Sequence, residues 1–139
     1  MGKLLQRLED AAKSGVYRSA HARDIGDALQ GSALMLRRID LAGAAGKEAM
    51  LERIARALDF PAWFGGNWDA LEDCLGDLSW TGAEGHVLLF EGAAATEEHA
   101  TLVDVLRSAA AFWTARKRPF FAVFIGAQAP RLPALYRER

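Results

Sequence analysis

Residues 120–125 are Phe120-Phe121-Ala122-Val123-Phe124-Ile125, six apolar side chains in succession. A strand with one face in water alternates apolar and polar residues, whereas this run has no polar side chain on either face. It therefore predicts a strand buried on both sides, which is typical of a parallel sheet covered by helices. Nearer the N-terminus, the segment 86–91, which lies between Gly85 and Gly92, predicts another strand.

Helical patterns alternate with these strands. From Lys47 onward apolar residues recur at helical spacing, and the predicted helix ends at Phe60-Pro61 because the residue before proline disfavours the α region. Its apolar residues are Met50, Leu51, Ile54, Ala55 and Leu58. Thr96 is the predicted N-cap of a longer helix, whose apolar stripe comprises Leu102, Val103, Leu106, Ala110 and Trp113. Ala33 to Ile39 reads as a further strand, and the alternation predicts an α/β layer architecture.

The segment before this alternation predicts two helices with a short strand between them. Apolar residues at helical spacing indicate the first helix, and Gly15 interrupts that pattern. These apolar residues are Leu4, Leu5 and Leu8. Val16-Tyr17-Arg18 could form an edge strand, and Ala22 to Leu29 could form the second helix, which ends at Gly31.

The length of 139 residues suits one ordinary domain with a single packed core. We expect one domain over residues 1–139, made of an N-terminal extension (1–32), a core (33–126) and a tail (127–139). The tail contains Pro130, Pro133 and three arginines. It is predicted to be either a short extended arm or a disordered end.

The charges are divided along the chain. All seventeen basic residues lie outside residues 57–106, and that acid-only stretch carries ten of the eighteen acids. The ten are Asp59, Asp69, Glu72, Asp73, Asp77, Glu84, Glu91, Glu97, Glu98 and Asp104. A net charge of −1 hides this division. A surface built from the acid-only stretch should meet a basic partner.

The remaining composition indicates a metal-free cytoplasmic protein that needs no cofactor. The single cysteine, Cys74, excludes an internal disulfide framework, and His21, His86 and His99 show no zinc-ligand spacing. The charged first fifteen residues do not supply the apolar region of a signal peptide. No apolar run approaches the roughly 18 residues of a membrane span. We therefore expect no binding to a membrane.

A helix with one acidic face should follow Asn67, its predicted N-cap. Trp68, Leu71, Leu75 and Leu78 cluster on one side of the helical wheel, and Asp69, Asp73 and Asp77 fall on the opposite side. Like charges at i, i+4 are unfavourable, and no lysine is interleaved to relieve them. A solvated charged face is the simple alternative, but such faces generally mix both signs of charge.

Aromatic side chains crowd the turn before this helix. Trp68 and Phe64 should join the buried stripe, whereas Trp63 is the predicted exposed anchor. Gly65-Gly66 should give the loop a backbone freedom that other residues lack. Cys74 lies beside the apolar stripe without a positive neighbour, so we interpret it as a small buried hydrophobe and not as a nucleophile.

Catalytic interpretations lack necessary parts. Asp69 and Asp73 would lie on one exposed helix face, whereas glycoside hydrolysis needs carboxylates that face a cleft from separate directions. The segment 43–48 lacks the spacing and the Ser or Thr of a phosphate-binding loop. Asp69, Asp73 and Asp77 could bind Mg²⁺, but no base or substrate clamp accompanies them. We therefore predict a binding protein and not an enzyme.

The segment from Phe60 to Leu75 resembles the barstar family, whose type member inhibits the bacterial ribonuclease barnase. The matching residues are Pro61, Trp63, Phe64, Gly65, Asn67, Trp68, Asp69, Ala70, Leu71, Asp73, Cys74 and Leu75. Weaker similarity in the order of elements extends from about Leu34 to Gly126. The resemblance implies a three-layer α/β fold with a small three-stranded parallel sheet flanked by helices, to which the N-terminal segment could add an edge strand.

The resemblance also implies a function, which is 1:1 inhibition of a basic ribonuclease by acids that take the place of RNA phosphates. Asp73 would enter the phosphate pocket, Asp69 would pair with a neighbouring cation, and Trp63 would pack on the enzyme. The full predicted partner-binding set is Trp63, Gly65, Gly66, Trp68, Asp69, Glu72, Asp73 and Asp77. Glu72 stands where the family has an aromatic contact residue, and residues 111–114 contain no counterpart of a further contact acid.

Two alternatives to an inhibitor remain open at this point. A domain of the same fold could bind a basic partner that is not a nuclease, since the same acidic face would serve. Nucleic-acid binding through Arg116-Lys117-Arg118 and the tail is disfavoured, because a nucleic acid would meet the acid-only stretch unfavourably.

Overall fold

The parallel sheet predicted from the alternation of strands and helices is present. The structure, a computed structural model, describes residues 2–44, 46–94, 96–126 and 131–136. Within these residues the strands are β1 (Gly15–Ser19), β2 (Met35–Asp40), β3 (His86–Glu91) and β4 (Phe120–Ile125). Neighbouring strands are parallel, in the order β1-β4-β3-β2. The strand predicted over 33–39 is shifted toward the C-terminus, because its pairing begins where Met35 lies opposite His86.

Helices connect the strands and cover both faces of the sheet. Over the described part of the chain they are α1 (Gly2–Glu9), α2 (Ala22–Leu29), α3 (Lys47–Ala57), α4 (Trp68–Asp77) and α5 (Glu97–Ala115). Short 3₁₀ turns follow α1 at Ala11–Lys13 and α4 at Ser79–Thr81. No helix among the described residues is long and apolar enough to cross a membrane.

The unbroken apolar strand is buried on both faces, as predicted. In β4, Phe121 and Val123 pack with the apolar side chains of α1 and α2. The alternate residues Phe120, Ala122 and Phe124 pack with α3, α4 and α5 on the other face. The sheet therefore lies between two helical layers, which confirms the three-layer α/β fold.

The long helix α5 holds α4 in place. Thr96 caps it by accepting a hydrogen bond from the backbone N–H of His99 at 3.2 Å, as predicted. The predicted apolar stripe is buried along its whole length. At its C-terminal end, the buried indole of Trp113 donates a 2.7 Å hydrogen bond to the carbonyl of Leu75. This bond ties α5 to the last turns of α4, where Glu72, Asp73 and Asp77 of the predicted binding set lie.

The N-terminal and C-terminal segments are both joined to the sheet. β1 lies at its edge beside β4, so the predicted edge strand is confirmed. Arg18 of β1 donates its backbone N–H to the carbonyl of Pro133 at 2.8 Å and accepts from Leu135 at 2.9 Å. Leu135 is fully buried. Residues 131–136 thus pack against the edge of the sheet through a single bridge and are not a disordered end. Residues 127–130 and 137–139 lie outside the described residues.

A histidine is buried at the start of β3. The ring of His86 is completely buried, and its Nε2 lies 2.8 Å from Oγ1 of Thr81. Because the Thr81 hydroxyl donates to the carbonyl of Leu78, it accepts from Nε2–H of the neutral ring. Nδ1 of that ring has no partner in the described part of the chain. Burial, helped by the positive charge of Arg37, lowers the pKa of His86 from 6.5 to about 4.

Candidate protein-interaction site

The start of α4 is fixed by its cap. The Asn67 side chain accepts a 2.7 Å hydrogen bond from the backbone N–H of Ala70, which confirms the predicted N-cap. Asp69 lies in the first turn, where the helix dipole stabilises negative charge. The cap therefore sets where along the helix the following carboxylates project.

The inner side of α4 is apolar, as the helical wheel predicts. Leu71, Leu75 and Leu78 are buried, and the half-buried Trp68 packs against the same core. Cys74 is also fully buried. Burial, reinforced by the charges of Asp73 and Asp77, raises the pKa of the Cys74 thiol to about 11. The thiol is therefore a structural side chain, as the sequence predicts.

The outer side of α4 carries carboxylates without cationic partners. Asp69, Glu72, Asp73 and Asp77 are all exposed. Two of the six other acids in the acid-only stretch do pair with basic residues from outside it: a carboxylate oxygen of Asp59 lies 3.3 Å from a guanidinium nitrogen of Arg37, and one of Asp104 lies 3.7 Å from a guanidinium nitrogen of Arg107. Over the described ranges, no ion pair of this kind reaches the four acids of α4. Their charge is therefore available to a partner.

Trp63 stands on a platform of other rings beside this helix. Its side chain is 60% exposed, which confirms the predicted exposed aromatic. Its ring meets the edge of Trp80 at 6.3 Å, and Trp80 in turn contacts Phe60 at 5.9 Å. Trp80 is held by a 2.9 Å hydrogen bond from its indole to the carbonyl of Leu58. Phe64, which was predicted to join the buried stripe, packs against the core but is only half-buried, and its ring lies 4.9 Å from that of Phe60. The platform limits the freedom of an otherwise exposed side chain.

Gly65 and Gly66 play different parts in the loop before α4. Gly66 has φ +70°, a conformation that side chains rarely adopt, so the predicted backbone freedom is used there. Gly65 has no positive φ, and a Cβ at that position would meet Asn67 and Ala70 at ordinary contact distances of 3.5 and 3.6 Å. The expectation of special backbone freedom is thus wrong for Gly65, because its conformation suits other residues too.

Two side chains beside the acids are not among the residues predicted from the sequence to bind a partner. Phe112 on α5 is 45% exposed, and the guanidinium of Arg116 lies 4.3 Å from the centre of its ring. Both line a cleft that is also bordered by Glu72, Asp73 and Asp77. A signal was available, since Phe112 falls outside the apolar stripe of α5 on the helical wheel. In the sequence Arg116 stands out only as part of the basic tripeptide Arg116-Lys117-Arg118.

The carboxylates do not form a recognisable metal site. Among the described residues there is no group of three or more His, Cys, Asp or Glu side chains arranged to hold a metal ion. The helix instead presents its acids outward, spaced along one face and next to an exposed tryptophan. This arrangement suits contact with an extended basic surface better than coordination of a single ion.

A parallel sheet between two helical layers, with an acidic helix and an exposed tryptophan on one side, defines an α/β domain suited to binding a basic macromolecule. Residues 34–125 match the family described as Barstar (barnase inhibitor). The match covers 92 of the 139 residues, so the chain belongs to the barstar family. No curated protein matches the chain.

Proposed function

We propose that this protein is an immunity-type inhibitor of a basic ribonuclease, which it binds 1:1 and blocks with α4. The four exposed carboxylates of α4, without cationic partners among the described residues, are the observation that carries the proposal. Membership of the barstar family also supports a ribonuclease as the binding partner. The protein acts by binding, with no cofactor and no catalytic step of its own.

Individual residues have distinct roles in this proposal. Asp73, in the middle of α4, takes the place of an RNA phosphate among the basic residues of the active site. Asp69 pairs with a neighbouring cation, and Trp63 packs on the enzyme surface from its aromatic platform. Glu72 and Asp77 add negative charge at the edges, while Gly65, Gly66 and Trp68 shape the contact surface around them.

The test compares two acids on the same helix. Asp73→Asn removes a charge that would be buried against a cation, and removing one member of such a pair at a protein interface costs about 2–5 kcal/mol. Asp77→Asn is the matched control, because it removes the same charge one turn later and should change the affinity little. Both variants would be checked for folding by circular dichroism.

Binding and inhibition would be measured with barnase and a panel of other basic microbial ribonucleases, catalytically inactive for the binding assay. An Asp73→Asn protein that stays folded and inhibits as well as the parent would remove the phosphate-mimic mechanism. If a basic partner binds through α4 but has no ribonuclease activity, the domain is an interaction module of the same fold.

A further inference from the structure

The C-terminal half of α4 and the last turns of α5 enclose a cleft of about 420 Å³. Its α4 wall consists of Glu72, Asp73, Gly76 and Asp77, and its α5 wall consists of Ser108, Ala109, Phe112 and Arg116. The two helices are close at Gly76, since a Cβ there would lie at an ordinary contact distance of 3.5 Å from the ring of Phe112. The acid proposed to enter the nuclease pocket therefore shares a cleft with an aromatic ring and a cation.

Arg116 is held in this cleft but most of its donors are unused. The guanidinium lies 4.3 Å from the ring centre of Phe112, and its Nη1 is 3.5 Å from the carbonyl of Gly76. No carboxylate lies within ion-pair distance of it over the described residues. A guanidinium has five N–H donors in a fixed fork, a geometry that matches a carboxylate. Stacking on the ring orients that fork before any partner arrives.

The surrounding charges restrict what Arg116 can bind. A free phosphate or a nucleic acid would approach Arg116 past Glu72, Asp73 and Asp77, which repel it. A carboxylate fixed on a protein surface avoids this repulsion when basic side chains beside it pair with the same acids. Charge complementarity thus favours a partner with one acidic residue at the rim of a basic cleft.

We infer that Phe112 and Arg116 form a second contact point, at which Arg116 pairs with an aspartate or glutamate at the rim of the nuclease active site. This inference rests on the proposed function and adds a specificity determinant to it. Nucleases with a basic residue at that rim position bind more weakly, because the positive charge of that residue is repelled by Arg116.

The experiment uses a display library of catalytically inactive barnase in which the side chains around the rim of the active site are randomised. The library is selected separately against the parent protein and against Arg116→Glu. Clones selected by the parent should be enriched in Asp or Glu at a rim position, and clones selected by Arg116→Glu should be enriched in Lys or Arg there. Clones selected by the parent should bind Arg116→Glu at least about tenfold more weakly than they bind the parent, and clones selected by Arg116→Glu should show the reverse preference.

Lys117→Glu is the matched control, because it changes the charge equally at the next residue, which does not line the cleft. Parent-selected clones should bind Lys117→Glu within about threefold of the parent, since an exposed charge away from the contact contributes little. They should bind Phe112→Ala more weakly, because the ring that orients Arg116 is lost. Circular dichroism would confirm that each variant is folded.

The possible failures are distinguishable. If clones bind and lose binding on Asp73→Asn but show no charge preference opposite Arg116, the second contact point is wrong while the proposed function stands. The same conclusion follows if Lys117→Glu weakens binding as much as Arg116→Glu. If no clone binds, the inference fails, and the wider panel of ribonucleases decides whether the proposed function fails with it. If clones bind but their binding does not depend on Asp73, both the inference and the proposed function fail.

Discussion

Acidification should destabilise the protein through His86, whose buried ring is held neutral by its surroundings. In the unfolded chain the ring has its ordinary pKa of 6.5, whereas in the folded protein the pKa is about 4. As the pH falls through 6.5, the His86 ring therefore becomes protonated in the unfolded state while it stays neutral in the folded state. The stabilisation is fully present above that value and is lost progressively as the pH approaches the folded pKa.

The magnitude follows from these two values. Each pKa unit of difference corresponds to about 1.4 kcal/mol. Integrated between about pH 7.5 and about pH 5, the loss is roughly 2 kcal/mol of the free energy of unfolding. His99 contributes in the same direction, because partial burial also lowers its pKa. The effect of His86 must therefore be isolated by comparison with a variant.

Urea unfolding of the parent and of His86→Gln across this pH range provides that comparison. The variant should be less stable at neutral pH but should lose about 2 kcal/mol less on acidification, because residue 86 no longer titrates. Titration of the histidine ring signals by NMR would give the folded pKa directly. Parallel stability profiles for the two proteins, or a folded pKa of His86 near the ordinary value, would refute the reasoning.

The Cys74 thiol should resist alkylation in the folded protein at neutral pH, since burial and the nearby carboxylates raise its pKa to about 11. Cys74→Ala should keep partner binding. Rapid alkylation that abolishes partner binding would contradict this structural role. Stopped-flow association with a basic nuclease should slow as salt rises to physiological ionic strength, where the screening length is about 8 Å, and a flat rate would exclude electrostatic steering. Leu135→Ala should lower the free energy of unfolding by about 2–5 kcal/mol, because its side chain is fully buried. A change under about 0.5 kcal/mol in urea unfolding would mean that the tail is not part of the core.

Much of the fold could be predicted because local patterns and burial agree along the chain. The apolar run of β4 predicts a strand that is buried on both faces. Thr96 and Asn67 predict where helices begin, because their side chains can accept a hydrogen bond from a backbone N–H of the first turn. The bounds of α2 are also as predicted, at Ala22 and Leu29. In these cases the information lies within a few neighbouring residues.

Features that depend on distant parts of the chain could not be predicted. Leu135 is buried because it packs with residues of α1, α2 and the sheet, and nothing near it in sequence signals this. Arg116 stacks on Phe112 within its own segment, but it lies beside the acids only because α5 packs on α4, which brings the carbonyl of Gly76, 40 positions earlier, to 3.5 Å from it. His86 was expected in a strand, but its burial and its bond to Thr81 follow from how the 3₁₀ turn after α4 folds over it.

The order of strands in the sheet also determines when a newly made chain can complete its fold. Among the described residues β4 is the only strand that pairs with β1, and Gly15 lies opposite Phe121, 106 positions later in the chain (121 minus 15). At synthesis rates of about 5–20 residues per second, the first strand waits roughly 5–20 s for its partner to leave the ribosome. The cleft between α4 and α5 is likewise incomplete until α5 has emerged. Under the proposed function, a cell that depends on this protein for protection must therefore hold finished copies before the nuclease appears.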